Sequence, residues 1–280
     1  MEDAAQRWHA LQSKVNELRL AETVRFYRAN GLEPLVIKGW SLARFYPPEE
    51  PRTASDIDLA VAPEDFDRAV RLKNAPEIRK INLDLHCGLR WLDPTPWADI
   101  FTRSRLVPLE EEQIRVPANE DLFRIAAVHW LTDSAARRDR LKDFVYLLVS
   151  SEDFDWKLAV ESTGEVRKSW YMAVLAAARD YENLPSGLLP DCLRDYRLPD
   201  WFRSALEREW KRPQIQRGKI LAAWKHPSLF FPLLFRQLTE SPVGQCILLE
   251  EPITNQAPGF IRIRAFVRKL KRETGLDEKK

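Results

Sequence analysis

The stretch Thr53-Ala-Ser-Asp-Ile-Asp-Leu-Ala-Val61 constrains this chain more than any other. Side chains alternate faces along an extended strand. Ile57, Leu59 and Val61 therefore point one way, and Asp56, Asp58 and Ala60 the other. The first set makes a core face. The second places two carboxylates roughly 6–7 Å apart on one surface, where their repulsion calls for a compensating charge. A divalent cation is the commonest solution. On this reading Asp58→Asn relieves repulsion and leaves the metal-free protein as stable as wild type, or slightly more so.

A second acidic position lies downstream. Residues 78 to 86 alternate so that Ile81, Leu83 and Leu85 share one face and Asn82, Asp84 and His86 the other, which predicts a strand from Ile78 to His86. Two carboxylates at i and i+2 on one strand and a third on its neighbour would cluster. Oxygen-rich clusters suit Mg²⁺, a hard cation that binds carboxylates together with phosphate oxygens. Two such ions can activate an attacking oxygen and hold a departing pyrophosphate. Upstream, Pro34-Leu-Val-Ile37 predicts a short strand running into Lys38-Gly39. A glycine there lets backbone N–H groups approach phosphates without a Cβ in the way, and it opens a short helix over residues 40–46 whose N-terminus adds positive potential.

The rest of the chain frames these segments. Residues 3–29 predict a long amphipathic helix, with Trp8, Leu11, Val15 and Leu18 at helical spacing, stopped at Asn30-Gly31. Pro47, Pro48 and Pro51 break the chain into a loop carrying Glu49, Glu50 and Arg52. Pro63-Glu-Asp65 opens a helix to about residue 73. Residues 104–117 predict a hairpin with an acidic turn. From Asn119, an expected N-cap, successive amphipathic helices follow: DLFRIAAVHWL, RRDRLKDFVYLLV, WKLAVEST and RKSWYMAVLAAARDY.

The expected organisation is a mixed α/β part over 1–117 and a helical part over 118–280, with the site in the cleft between them. Composition supports a globular protein: of 280 residues, 45% are hydrophobic and 31% charged, and the net charge of +2 excludes a polycation built wholly for nucleic acid. Cys87, Cys192 and Cys246 lack metal-ligand spacing, so each is expected to be a small, buried, reduced thiol. No run approaches the length of a membrane span, and the first residues, MEDAAQRWHA, are polar and acidic. The expectation is a soluble cytoplasmic protein with no membrane partner.

A glycine turn followed by Asp-hydrophobic-Asp-hydrophobic resembles the polymerase-β-like nucleotidyltransferases. The closest resemblance is to their uncharacterised, mainly bacterial nucleotidyltransferase branch. It is carried by Lys38-Gly39, Arg52, Asp56-Ile57-Asp58, Asp84-Leu85-His86, His129-Trp130 and Leu141-Lys-Asp143-Phe, over about residues 20–165. Asp84 stands where that branch carries Glu, and Gly39-Trp40-Ser41 replaces a Gly-Ser pair. The segment between the helix at 64–73 and the strand at 78–86 is also short for the family.

The resemblance implies an α+β nucleotidyltransferase core with a mixed sheet, followed by a helical, acceptor-binding domain. It implies transfer of a nucleoside monophosphate from a nucleoside triphosphate, with ATP the expected donor, and two Mg²⁺ ions, or Mn²⁺, as cofactors. Asp56, Asp58 and Asp84 are the expected catalytic metal ligands. Lys38, Gly39, Ser41 and Arg52 are expected at the triphosphate, and His86 beside Asp84, orienting it. Pairing with the same aspartates is the structural alternative for Lys38 and Arg52.

A core or interface role is expected for His129. Asp143 divides evenly between ligand contact and pairing with Arg137, Arg138 or Arg140. The 10 tryptophans are expected mostly in the core. The basic stretch 261–272 is expected to dock as a terminal helix, with an anionic partner as its alternative. The expected acceptor is a small-molecule hydroxyl. A protein or RNA acceptor, as for nucleotidylating toxins, is one alternative, and a catalytically inactive binding or scaffold protein is another.

Overall fold

In the computed structural model of the protein, residues 2–52, 56–89, 91–211 and 241–256 are described. Helix α1 (Glu2–Ala29) stops where Gly31 enters the left-handed region at φ 73°. The Gly31 amide donates to Arg28 O and the Leu32 amide to Tyr27 O, closing the helix end as a glycine permits. The chain then makes β1 (Leu35–Val36), the single turn α2 (Trp40–Ala43) and β2 (Ile57–Val61). A 3-10 turn over Pro63–Asp65 leads into α3 (Phe66–Lys73), and β3 follows (Leu83–Cys87). Helix α4 (Trp97–Arg103) precedes the hairpin β4 (Arg105–Leu109) and β5 (Glu112–Val116), whose acidic turn carries Glu110 at φ 53°.

The sheet is small and mixed, in the order β1-β2-β3, with β1 antiparallel and β3 parallel to β2. A parallel neighbour requires a crossover, and α3 supplies it. Ile57, Leu59 and Val61 join Val36, Leu83 and Leu85 in a core with Leu20, Val24 and Tyr27 of α1 and Ile114 and Val116 of β5. Tyr27 donates its hydroxyl to Ala69 O at 3.1 Å, and burial pushes its pKa up to about 12.

The sheet departs from the sequence expectation in two ways. Every residue of β2 is buried, including Ala60 and, nearly, Asp58, because β1 and β3 flank the strand and Leu35 and Ile37 are themselves fully buried. The acidic face is therefore buried at Asp58, while Asp84 on β3 stays exposed. Second, β3 begins at Leu83. Residues 75–81 form turns instead of strand, with Ile78 N donating to Ala75 O and Ile81 N to Ile78 O, although Ile78 still reaches the core.

The chain divides into two compact units, Met1–Ala126 with Lys142–Ser162, and Ala127–Leu141 with Thr163–Lys280. Among the described residues the helices from residue 119 onward are α5 (Asn119–Thr132), α6 (Leu141–Val149), α7 (Glu165–Glu182), α8 (Asp191–Arg194), α9 (Asp200–Trp210) and α10 (Pro242–Leu248). Residues 157–161 form a π-type turn in place of the expected helix. Asn119 is the first helical residue and its amide is used elsewhere, accepting from Arg44 Nη2 at 3.2 Å and donating to Ser151 Oγ at 2.8 Å. In the second unit, Trp170 of α7 is buried and donates to Glu251 O, and Ser241 caps α10.

Trp130 and Trp170 are buried, whereas Trp91 is half exposed, so the tryptophans are less uniformly core than expected. All three cysteines are free thiols, yet only Cys246 is buried; Cys87 is partly exposed and Cys192 exposed. Among the described residues no helix is long and apolar enough to cross a membrane. The basic stretch 261–272 lies outside the described residues.

Candidate functional site

The site grows from the register of two parallel strands. Asp58 pairs with Asp84 and Ala60 with His86, so alternation brings Asp58, Asp84 and His86 to one face of adjacent strands. Each offers one ligand atom, and those atoms all lie within 4.8 Å of one another. His86 Nε2 is 3.0 Å from Asp84 Oδ2 and 3.8 Å from Asp58 Oδ1. The Asp84 side chain is 54% exposed and that of Asp58 only 7%. One carboxylate thus faces solvent while the other is held inside.

Asp56 lies one residue before β2 and outside this close group. It is exposed as a whole residue; desolvation of its carboxyl, followed by the charge of Asp58, nonetheless raises its pKa, with Lys38 working in the other direction. The repulsion anticipated between the two aspartates is therefore present. It is partly offset by a buried side chain: Lys38 Nζ lies 2.7 Å from Asp58 Oδ1 and 3.9 Å from Asp84 Oδ2, with its side chain 7% exposed. This pairing reverses the expectation for Asp58→Asn, because removing the carboxylate charge now leaves a buried ammonium without its ion partner.

Lys38 emerges from the turn joining β1 to α2. Gly39 has φ 53° and ψ −110°, backbone that glycine adopts far more readily than other residues. Ser41 is fully buried: its hydroxyl donates to Val36 O and its amide to Lys38 O. The Ser41 hydroxyl and amide are thus both used inside the turn. With only four residues, α2 also carries a weaker dipole than the predicted helix would.

Arg52 holds the same turn from outside. It donates Nη1 to Gly39 O at 3.3 Å, and Nε and Nη2 to the two oxygens of Asp143 at 2.6 and 2.9 Å. Tyr46 adds its hydroxyl to Asp143 Oδ1 at 2.7 Å. Burial works against the Arg52 charge, but the Asp143 carboxylate outweighs it and raises the pKa of the guanidinium above its ordinary value. Within its own unit Asp143 therefore pairs with Arg52. Arg137 pairs with Asp139 and Arg138 with Glu182.

The loop between Tyr46 and Arg52 is tied to α6 a second time. Glu50 takes Lys142 Nζ on one oxygen and the Tyr146 hydroxyl, at 2.6 Å, on the other, and these contacts hold its pKa below the usual carboxylate range. No local sequence signal announces these pairs, because their partners are more than 90 residues apart. His129 lies partly buried on α5.

Chemically, the arrangement offers two carboxylates and an imidazole converging within metal-ligand reach, beside a glycine turn braced from both sides. The donor set fits a divalent cation that accepts oxygen and imidazole ligands. A family model described as an uncharacterised nucleotidyltransferase matches residues 3–179. Neither the curated proteins nor the solved structures hold a match to the chain.

Proposed function

We propose a specific chemistry for this chain, which belongs to the uncharacterised nucleotidyltransferase family: metal-dependent transfer of a nucleoside monophosphate from a nucleoside triphosphate to the hydroxyl of a small molecule. In that reaction the acceptor oxygen bonds to the α-phosphorus, the bond from that phosphorus to the α,β-bridging oxygen breaks, and pyrophosphate leaves with the bond's electrons. The proton of the acceptor passes to a base. The observation that carries the reading is the register pairing of Asp58 with Asp84, which brings a buried and an exposed carboxylate to one point beside the Gly39 turn.

Mg²⁺ or Mn²⁺ held by Asp58, Asp84 and His86, with Asp56 alongside, would neutralise the triphosphate and polarise the reacting oxygens. The chain's own residues do the rest by positioning and electrostatics. Asp84, exposed and 3.0 Å from His86 Nε2, would receive the acceptor proton. Lys38 and the Gly39 backbone face the β- and γ-phosphates, while Ser41 and Arg52 keep that turn in shape. A near-neutral chain favours a small acceptor over RNA.

A thermal-shift panel tests this reading, with each nucleoside triphosphate, with and without Mg²⁺ or Mn²⁺, on wild type and Asp84→Asn. The variant changes an exposed carboxylate, so its fold is preserved. A ligand at 100 times its Kd stabilises the protein by about 2.7 kcal/mol. A metal-dependent shift with one triphosphate, lost in Asp84→Asn, is expected and names the donor. Absence of any shift with every triphosphate in both metals would overturn the proposal.

A further inference from the structure

We propose that Lys38 is a tethered cation, which a divalent ion must displace from Asp58 and Asp84, so that metal and triphosphate bind as a coupled pair. The inference rests on the function proposed above and adds a rule for how the site loads.

The geometry is specific. Lys38 Nζ addresses Asp58 Oδ1 and Asp84 Oδ2 at 2.7 and 3.9 Å. His86 Nε2 faces the same two oxygens, at 3.8 and 3.0 Å. The ammonium therefore stands against the ligand atoms a divalent ion would take. Such an ion sits roughly 2.1–2.5 Å from a carboxylate oxygen, which puts it within about 5 Å of an ammonium bonded to that oxygen. Two positive centres that close, beside the buried carboxylate of Asp58, repel. An entering ion must either bind weakly or drive the ammonium away.

Lys38 is placed to move without unfolding the turn. It lies between β1 and α2, outside both elements. The backbone on its C-terminal side is anchored independently, by Arg52 on Gly39 O and by the Ser41 hydroxyl on Val36 O. The flexible four-carbon stem can then swing while the turn stays fixed. A triphosphate entering at the Gly39 turn supplies the negative charge that receives the ammonium. Metal alone must displace Lys38 with nothing to receive it, whereas metal with triphosphate exchanges one ion pair for another. Each ligand thereby raises the affinity of the other, and by the same factor.

The test uses Mn²⁺ and inorganic tripolyphosphate, a probe that needs neither a base nor an acceptor. Free Mn²⁺ is titrated by its electron paramagnetic resonance signal against the full-length protein, wild type and Lys38→Met, with and without tripolyphosphate. Methionine keeps the length of the stem and removes its charge. Mn²⁺ alone should bind Lys38→Met roughly tenfold tighter than wild type, in the range of typical coupling factors. Tripolyphosphate should tighten Mn²⁺ binding clearly more in wild type than in the variant, where only the direct contact of its oxygens with the ion remains. Equal Mn²⁺ affinity in the two proteins, with tripolyphosphate acting alike on both, would overturn the inference and leave the metal-site reading standing. Failure of both proteins to bind Mn²⁺ under either condition would overturn the two together. Should Lys38→Met not fold in metal-free buffer, Lys38→Gln, which can still donate to Asp58, carries the same comparison.

Discussion

Two charge clusters lie in the unit that holds the sheet, and they are built on opposite principles. In one, Arg124 donates to Asp93 at 2.6 Å, to Leu158 O at 2.7 Å and to Asp121, which also takes Arg103 through both oxygens at 2.8 and 3.0 Å. Two guanidinium groups face two carboxylates, and Asp93 accepts the Thr95 amide as well. In the other, Lys38 lies between Asp58 and Asp84, and desolvation, followed by the charge of Asp58, raises the pKa of the neighbouring Asp56. A matched, hydrogen-bonded network is how a fold tolerates buried charge. A network with acid to spare, opening to solvent at Asp84, is how a protein prepares to bind a cation. The difference separates a structural ion cluster from a candidate active site where burial alone would not.

The largest expected effect lies in the matched network. Arg124→Met leaves Asp93 and Asp121 buried with one cation fewer, and should cost about 3–5 kcal/mol. Chemical denaturation should give the same loss with and without Mg²⁺. A metal-dependent loss would break the contrast, since it would give this cluster a share in the site.

The brace on the Gly39 turn comes next. Asp143→Asn removes the charge that holds Arg52 in bidentate fashion and should lower stability by about 2–3 kcal/mol, as for a charged hydrogen-bonded group left without its partner. Denaturation in metal-free buffer checks it, and a variant as stable as wild type would show that Arg52 finds another anchor.

Asp58→Asn sharpens the comparison most directly. The structure predicts a loss of about 1–2 kcal/mol without metal, because Lys38 keeps a neutral acceptor but loses the nearer of its two counter-charges, together with loss of any metal-dependent stabilisation. A metal-free gain in stability would mean that repulsion from Asp56 and Asp84 outweighs the Lys38 pair.

The smallest effect sits at a half-exposed pair network. Glu33 accepts from Arg28 at 2.6 and 2.7 Å and from Arg115 at 3.1 Å. Desolvation raises its pKa, but the two guanidinium groups outweigh that and hold it below the usual 4.5. A carboxylate depressed in the folded state contributes stability that is present above its unfolded pKa and is lost as pH falls through the folded value. Wild type should therefore lose stability on acidification below about pH 4.5, and Glu33→Gln should lose less over the same range. Solvent screening keeps the difference at neutral pH below about 1 kcal/mol. Parallel acid-denaturation curves for the two proteins would exclude Glu33 as a contributor.

Much of the site was legible because strands have a period of two. Asp84 and His86 had to share a face, and the apolar residues of the two strands had to face a core, whereas Asp56 precedes β2. The end of α1 at Gly31, the hairpin around Glu110 and the Gly39 turn follow from backbone preferences that act within a few residues. These are local consequences of chain geometry, and the sequence by itself determined them.

What it could not determine depends on partners brought from afar. The pairing of Asp58 with Asp84 exists only because β3 lies parallel to β2 in that register. Asp58 is buried in the central strand, and there Lys38 is its ion partner at 2.7 Å instead of a surface charge. Asp143 reaches Arg52 across 91 positions of sequence, with no local pattern to announce it. Electrostatic partnership falls off with distance in space and takes no account of separation along the chain. The acids of the site could therefore be read from the sequence, and the cations that balance and brace them were decided only by the fold.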